Sequence, residues 1–164
     1  MRFSVVHELP GRPADVVALW LDPSFHEGLD LPDLSRPEVV EASTAGTASV
    51  LRLRYEFTGH LDPVVRKLLG NRELTWVQEL HFDLATLRGR LTFAAETDPN
   101  RLYGDADVTL ESAGEHATRR LITGELHVRI PVIGGSGEKR IVPGLVRRLD
   151  VEAAALAEAL KGRG

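Results

Sequence analysis

His7, Tyr55, Trp76, Gln78 and Arg120 are the residues of this 164-residue chain whose types and parity suit work inside a fold. His7 alternates with Phe3, Val5 and Leu9, so a two-residue period turns it toward the core side of a strand. An imidazole there is either a hydrogen-bonded core residue or the one nominee for a general acid or base. Tyr55, Trp76 and Gln78 share an inner strand face and offer either ordinary packed aromatics or the few polar handles of an apolar pocket. Arg120 also has inward parity, near a strand end, where it meets an acidic ligand group or snorkels to solvent. The other histidines suggest no site: His81 and His127 fall outward on strands, and His26, His60 and His116 lie in or near loops. No His-x-His or His-Glu-x-x-His spacing occurs, which argues against zinc. Cysteine is absent, which excludes disulfides, thiolate metal sites and cysteine nucleophiles. Glu125 and His127 share a strand face as a solvated pair, and Asp105 and Asp107 face outward rather than forming a carboxylate pair for glycoside chemistry.

The stretch RIPVIGGSGEKRIVPGL, Arg129 to Leu145, imitates three motifs and satisfies none. A P-loop needs Gly-Lys-Ser/Thr, but Glu138 separates Gly137 from Lys139 and Arg140 stands at the hydroxyl position. The dinucleotide fingerprint fits at Gly135 and Gly137 and fails at Arg140, where a third glycine lets helix and strand pack closely. The nucleophile elbow of a serine hydrolase is missing, because Gly134-Gly135-Ser136-Gly137 lacks its spacing and strand context. The stretch reads as a hinge from a strand ending near Ile130 into a terminal helix, with Glu138 suited to the helix start. Pro143 either kinks that helix or begins its regular part.

The elements that must position these residues follow from periodicity. After the first strand, Pro10-Gly11 makes a stop and Pro13 opens a helix with Val16, Val17, Trp20 and Leu21 on one face. Asp22-Pro23 ends it, and Ser24 is a candidate cap for a second short helix carrying Phe25, Leu29 and Leu31. Six further strands are expected: Val39–Ser43, Ser49–Phe57, Glu73–Phe82, Leu87–Glu96, Arg101–Glu111 and Thr118–Ile130, with a brief helix over Pro63–Leu69. Short connections make neighbours antiparallel. Charge suggests registers in which Phe82 faces Leu87, Leu80 faces Gly89 and Glu79 faces Arg90, and in which Glu96 faces Arg101. Gly89, Gly104, Ala106 and Gly124 point inward, either to bend the strands and pack closely or to leave room for a cavity. In the terminal segment Val142, Leu145, Leu149, Ala153, Leu156, Ala157 and Leu160 form an apolar stripe, with Arg147, Arg148, Asp150 and Glu152 mostly elsewhere. From Pro143 to Lys161 it spans about 28 Å, long enough to cover a sheet.

Bulk properties agree with one domain. At this length roughly 70% of the unfolded surface is buried on folding. Aromatics make up 5% of residues, so aliphatic side chains must fill the interior. A net charge of −4 argues against a general nucleic-acid binder. The start, MRFSVVHELP, lacks the apolar stretch of a signal peptide, and no run reaches the ~18 apolar residues of a membrane span. These features set the expectation of a cytoplasmic protein without cofactor.

The order strand, two short helices, six strands, long helix resembles the START-like (SRPBCC) superfamily over almost the whole chain. The matching stretches are HELPGRPADVVALWLDPSFHEGL, LTWVQE and GELHVRIPVIGGSGEKRIVPGL. More narrowly they resemble an actinobacterial domain-of-unknown-function family of about this length. The resemblance implies a single α+β domain over 1–164 with the helix-grip fold, a curved antiparallel sheet of about seven strands wrapped around a long C-terminal helix. It also implies a cavity between them for a small hydrophobic or amphipathic ligand, lined by His7, Tyr55, Trp76, Gln78, Phe93, Gly104 and Arg120 from the sheet and by Leu145 and Leu149 from the helix. The alternatives are a cyclase or dehydratase-type enzyme using His7, and a protein-interaction module.

Overall fold

The computed structural model describes residues 1–61, 63, 66, 69–129 and 134–162. The chain runs β1 (Arg2–Pro10), α1 (Pro13–Trp20), α2 (Pro23–Glu27), β2 (Glu38–Ala45), β3 (Ala48–Glu56), β4 (Thr75–Asp83), β5 (Arg88–Ala95), β6 (Leu102–Ser112), β7 (Ala117–Val128) and α3 (Gly134–Lys161). The expected helix over 63–69 falls largely outside the described residues. The seven strands form one antiparallel sheet in the order β1-β7-β6-β5-β4-β3-β2. From β2 to β7 neighbours follow the chain, while β1 pairs with β7 across most of the sequence, for example Val5 with Ile122.

Local chemistry starts each element. Pro13 sits in the first turn of α1, where its missing N–H has no helical partner to lose. Asp22, not Ser24, caps α2: its carboxylate accepts the Ser24 N–H at 2.9 Å. Pro23 dictates this, because its fixed φ already suits the first helical position and leaves the preceding residue as the cap.

The strand faces follow the two-residue period, but one register differs. Phe82 lies opposite Gly89 and Leu80 opposite Leu91, two residues from the expected alignment. Leu87 is not a strand residue; it takes a left-handed conformation (φ 58°) and closes the loop by donating its N–H to the Asp83 carbonyl. A shift of two keeps every side chain on its expected face. It does change partners: Glu79 accepts from Arg52 of β3 at 2.8 Å, and Arg90 turns to Asp105 and Asp107. The β5–β6 register, Phe93 with Gly104, is the one that aligns Glu96 with Arg101. Glu96 nevertheless pairs with Arg54 of β3.

One side of the sheet carries the core. Phe3, Val5, Leu9, Leu51, Leu53, Leu80, Leu91, Val108 and Ile122 bury there against Leu149, Ala153, Leu156 and Leu160 of α3 and Val16, Val17 and Trp20 of α1. The terminal helix begins earlier than expected. Gly134 onward is already helical, so the GGSG stretch forms its first turn, and Pro143 lies inside it. The exit from β7 toward residue 133 lies outside the described residues. Gly137 lets this first turn approach the sheet: a Cβ there would sit 3.1 Å from Val128 Cγ1. Glu138 fastens it, accepting the Val128 N–H at 3.0 Å and the Met1 ammonium at 3.1 Å. The backbone hydrogen bond, then the ammonium, holds its carboxyl below the usual range.

Candidate functional site

Beneath the N-terminal half of α3 the helix and the sheet part, leaving a partly enclosed cavity of about 400 Å³. It sits at the sheet end where β3, β5 and β7 finish and β4 and β6 begin. Trp76, Phe93, Ala95, Leu102 and Leu126 form its sheet wall, and Ile141, Leu145 and Arg148 its helix wall. Leu34, Phe57, Leu61 and Leu74 from the connecting segments close the sides, and exposed Asp33, His60 and Arg147 stand at the rim. A second hollow of about 420 Å³, more open to solvent, lies between Val17 of α1 and Leu21 just after it on one side and Ser49, Leu84 and Leu87 on the other.

The inward glycines are not what leaves room. A Cβ on Gly89 would meet the His81 carbonyl and Phe82 ring at 2.6 Å, one on Gly104 would overlap the Phe93 ring, and one on Gly124 would meet Ala106 at 2.5 Å. These positions serve close packing of neighbouring strands. Space comes instead from small wall residues such as Ala95 and Gly144, where a Cβ on Gly144 would meet nothing within 4 Å.

One cation is built into the apolar wall. Arg148 Nη2 donates to Gln78 Oε1 at 2.5 Å, and its guanidinium lies 5.5 Å from the centroid of the Tyr55 ring. Tyr55 in turn stacks on Trp76 with centroids 5.8 Å apart. Burial pushes the Tyr55 phenol up to about 12, against the pull of Arg148. Tyr55 and Gln78 therefore stand behind the wall and hold Arg148 and Trp76 in it.

Further along α3 lies a separate buried polar chain. Arg120 is fully buried; its Nη1 donates to Glu152 Oε1 at 2.7 Å and its Nη2 to His7 Nδ1 at 3.2 Å. Its guanidinium also covers the Trp20 ring at 4.6 Å. A guanidinium only donates, so His7 Nδ1 accepts and its Nε2–H donates to Asp150 Oδ1 at 2.8 Å. Burial pushes the Glu152 carboxyl up, but Arg120, by its charge and hydrogen bond, together with His26 and Arg148 nearby, outweighs it and holds the group below its usual range. Beside this chain His26, on α2 rather than in a loop, is buried and donates Nε2–H to the Trp20 carbonyl at 2.6 Å.

The residues singled out by sequence thus divide. Trp76, Phe93 and Leu145 line the cavity. Tyr55 and Gln78 support it from behind, and Gly104 lies under the Phe93 ring. His7, Arg120 and Leu149 belong to the polar chain, where Leu149 also offers its carbonyl to Arg120 at 3.4 Å. Arg120 neither reaches the cavity wall nor snorkels; it is neutralised within the core. Both ring nitrogens of His7 are occupied by protein groups. Periodicity missed Arg148 and Glu152, whose charge puts them outside the apolar stripe. Their spacing held the signal: 145, 148, 149, 152 and 156 follow the three- and four-residue steps of one helix face. Among the described residues, no group of three or more His, Asp or Glu side chains stands close enough to hold a metal ion. Nor does any described helix have the length and apolarity to cross a membrane.

Comparison with solved structures places this architecture. Protein TTHA0849 of Thermus thermophilus superposes with a TM-score of 0.69 at 19% identity, covering 100% of this chain and 99% of that one. The Zhui aromatase/cyclase of Streptomyces sp. R1128 gives 0.68 at 12%, over 99% and 94%. A START superfamily protein of Mycobacterium smegmatis gives 0.58 at 13%, over 99% of each chain. At such identities the likeness is one of fold, and the fold is START-like. No curated protein sequence matches the chain. Residues 4–160 match the model of the family described as protein of unknown function, DUF2505.

Proposed function

We propose that this chain, which belongs to the DUF2505 family and has the START-like fold, binds a small apolar or amphipathic molecule in the cavity under α3. The observation that carries the reading is the hollow of about 400 Å³ between helix and sheet, walled by Trp76, Phe93, Ala95, Leu126, Ile141 and Leu145. Pockets of about 300–1,000 Å³ with apolar walls and few polar groups are the usual form of small-molecule sites. Affinity would come from burying apolar area, at about 25 cal/mol per Å² before the costs of binding. The superposed aromatase/cyclase is named as an enzyme; here the nominated base, His7, lies outside the cavity wall with both nitrogens bonded. The cyclase or dehydratase alternative thus loses His7 as its base, and ligand binding is the reading the cavity supports.

The test is a fluorescence titration with N-phenyl-1-naphthylamine, a neutral probe that brightens in apolar surroundings. Saturable one-to-one binding is expected, weakened at least about tenfold in Leu145→Trp, which fills the space a ligand needs. Absence of saturable binding, or a Leu145→Trp variant binding as the wild type does, would overturn it.

A further inference from the structure

We infer that the ligand is an amphiphile carrying one carboxylate, and that Arg148 receives that group. The inference rests on the cavity being the binding site. Arg148 is half-buried in an otherwise apolar helix wall, between Ile141 and Leu145 on one side and Gln78 and Tyr55 behind. Its partners, an amide oxygen and an aromatic face, are both neutral, and the bond to Gln78 is its single hydrogen bond among the described residues. The buried carboxylate within electrostatic reach, Glu152, is engaged by Arg120 at 2.7 Å. Two guanidinium groups thus face one carboxylate across this part of α3.

A guanidinium has five N–H donors, and Gln78 takes one at Nη2. The rest of the fork matches two carboxylate oxygens, the pairing that a partly desolvated arginine makes most strongly. The charge that decides lies deeper than the rim. At the mouth Arg147 and the exposed Asp33 carboxylate carry opposite signs, which leaves Arg148 as the charge of the wall itself. A cationic amphiphile would bring its charge against Arg148, and a neutral one would leave Arg148 without an anion. The apolar tail would lie along Phe93, Ala95, Leu102, Leu126 and Ile141.

Displacement of N-phenyl-1-naphthylamine by decanoate, methyl decanoate and decyltrimethylammonium at neutral pH tests this. Decanoate should displace the probe at about ten- to hundredfold lower concentration than the ester, the range expected of a hydrogen bond to a charged group, and the ammonium should be weakest. In Arg148→Met, with folding checked by circular dichroism, the acid and ester should become equal; in Arg148→Lys part of the preference should remain. Equal displacement by acid and ester in the wild type, or a preference that survives Arg148→Met, overturns the carboxylate assignment while the cavity reading stands. If the probe itself does not bind, the cavity reading fails and this inference falls with it.

Discussion

Replacing Glu152 by Gln removes one charge from the core while nearly preserving shape, and the consequence can be worked from the ion pair. Arg120 has no exposure and Glu152 is 4% exposed, with Nη1 and Oε1 2.7 Å apart. Two unit charges about 4 Å apart at an effective dielectric near 20 attract by ~4 kcal/mol. The larger effect is that Arg120 keeps its charge and loses its counterion, for which breaking a buried pair typically costs about 3–5 kcal/mol. Because the Gln carbonyl can still accept from Nη1, Glu152→Gln should cost about 3 kcal/mol, a large part of the ~5–15 kcal/mol of an ordinary domain. With a urea slope of about 2 kcal/mol per M, the midpoint should drop by about 1.5 M. The double variant Arg120→Met/Glu152→Leu leaves no orphaned charge and should recover most of this. The pH profile gives an independent check. The folded Glu152 carboxyl titrates below its unfolded value. Its contribution is therefore fully present above the unfolded pKa, about 4.3, and is lost as pH falls through the folded one. Glu152→Gln should flatten that part of the acid limb. A single variant that loses under about 1 kcal/mol, together with a double variant no more stable than the single, would refute the reasoning.

Other perturbations follow from the same geometry. Gly124→Ala should destabilise by about 1–3 kcal/mol, read from the urea midpoint, because its Cβ would press on Ala106 of β6 at 2.5 Å. Leu156→Ala, at a position with no exposure between α3 and the sheet, should cost about 2–5 kcal/mol in the same assay. Asp22→Ala removes the α2 cap and should cost about 0.5–2 kcal/mol, while Ser24→Ala should cost less. His7→Ala should lower the unfolding midpoint by leaving Arg120 short of an acceptor, about 1–3 kcal/mol, yet leave naphthylamine affinity unchanged because His7 is not in the wall.

The strand faces and the single long helix were legible because burial has a period that sequence displays. Phe3, Val5 and Leu9, and likewise Leu51, Leu53 and Tyr55, face the core as their alternation requires. Registers were less legible. Matching Glu79 with Arg90 assumed that opposite charges pair within a hairpin, whereas each strand has two neighbours and Arg52 was the nearer partner. The turn conformation of Leu87 decided the shift, and no side-chain pattern announces a left-handed leucine. The site was legible in part. Trp76, Phe93 and Leu145 stand in the wall, but Arg120 and His7 look inward onto one another and onto α3. Parity says which face a residue occupies, not which end of the sheet lies beneath open space. That depends on where α3 begins and how closely Gly137 brings it to Val128, a relation between distant segments. Arg148 was masked by its charge, since a formal cation on an amphipathic helix reads as solvent-facing until its Gln78 and Tyr55 partners are seen.

Resonance assignment followed by titration with N-phenyl-1-naphthylamine tests the site itself. Chemical-shift changes and ligand contacts should cluster at Trp76, Phe93, Leu126, Ile141 and Leu145, around the cavity under α3. Changes confined to Val17, Leu21, Leu84 and Leu87, the hollow beside α1, would contradict the account by placing the ligand at the other end of the molecule's core.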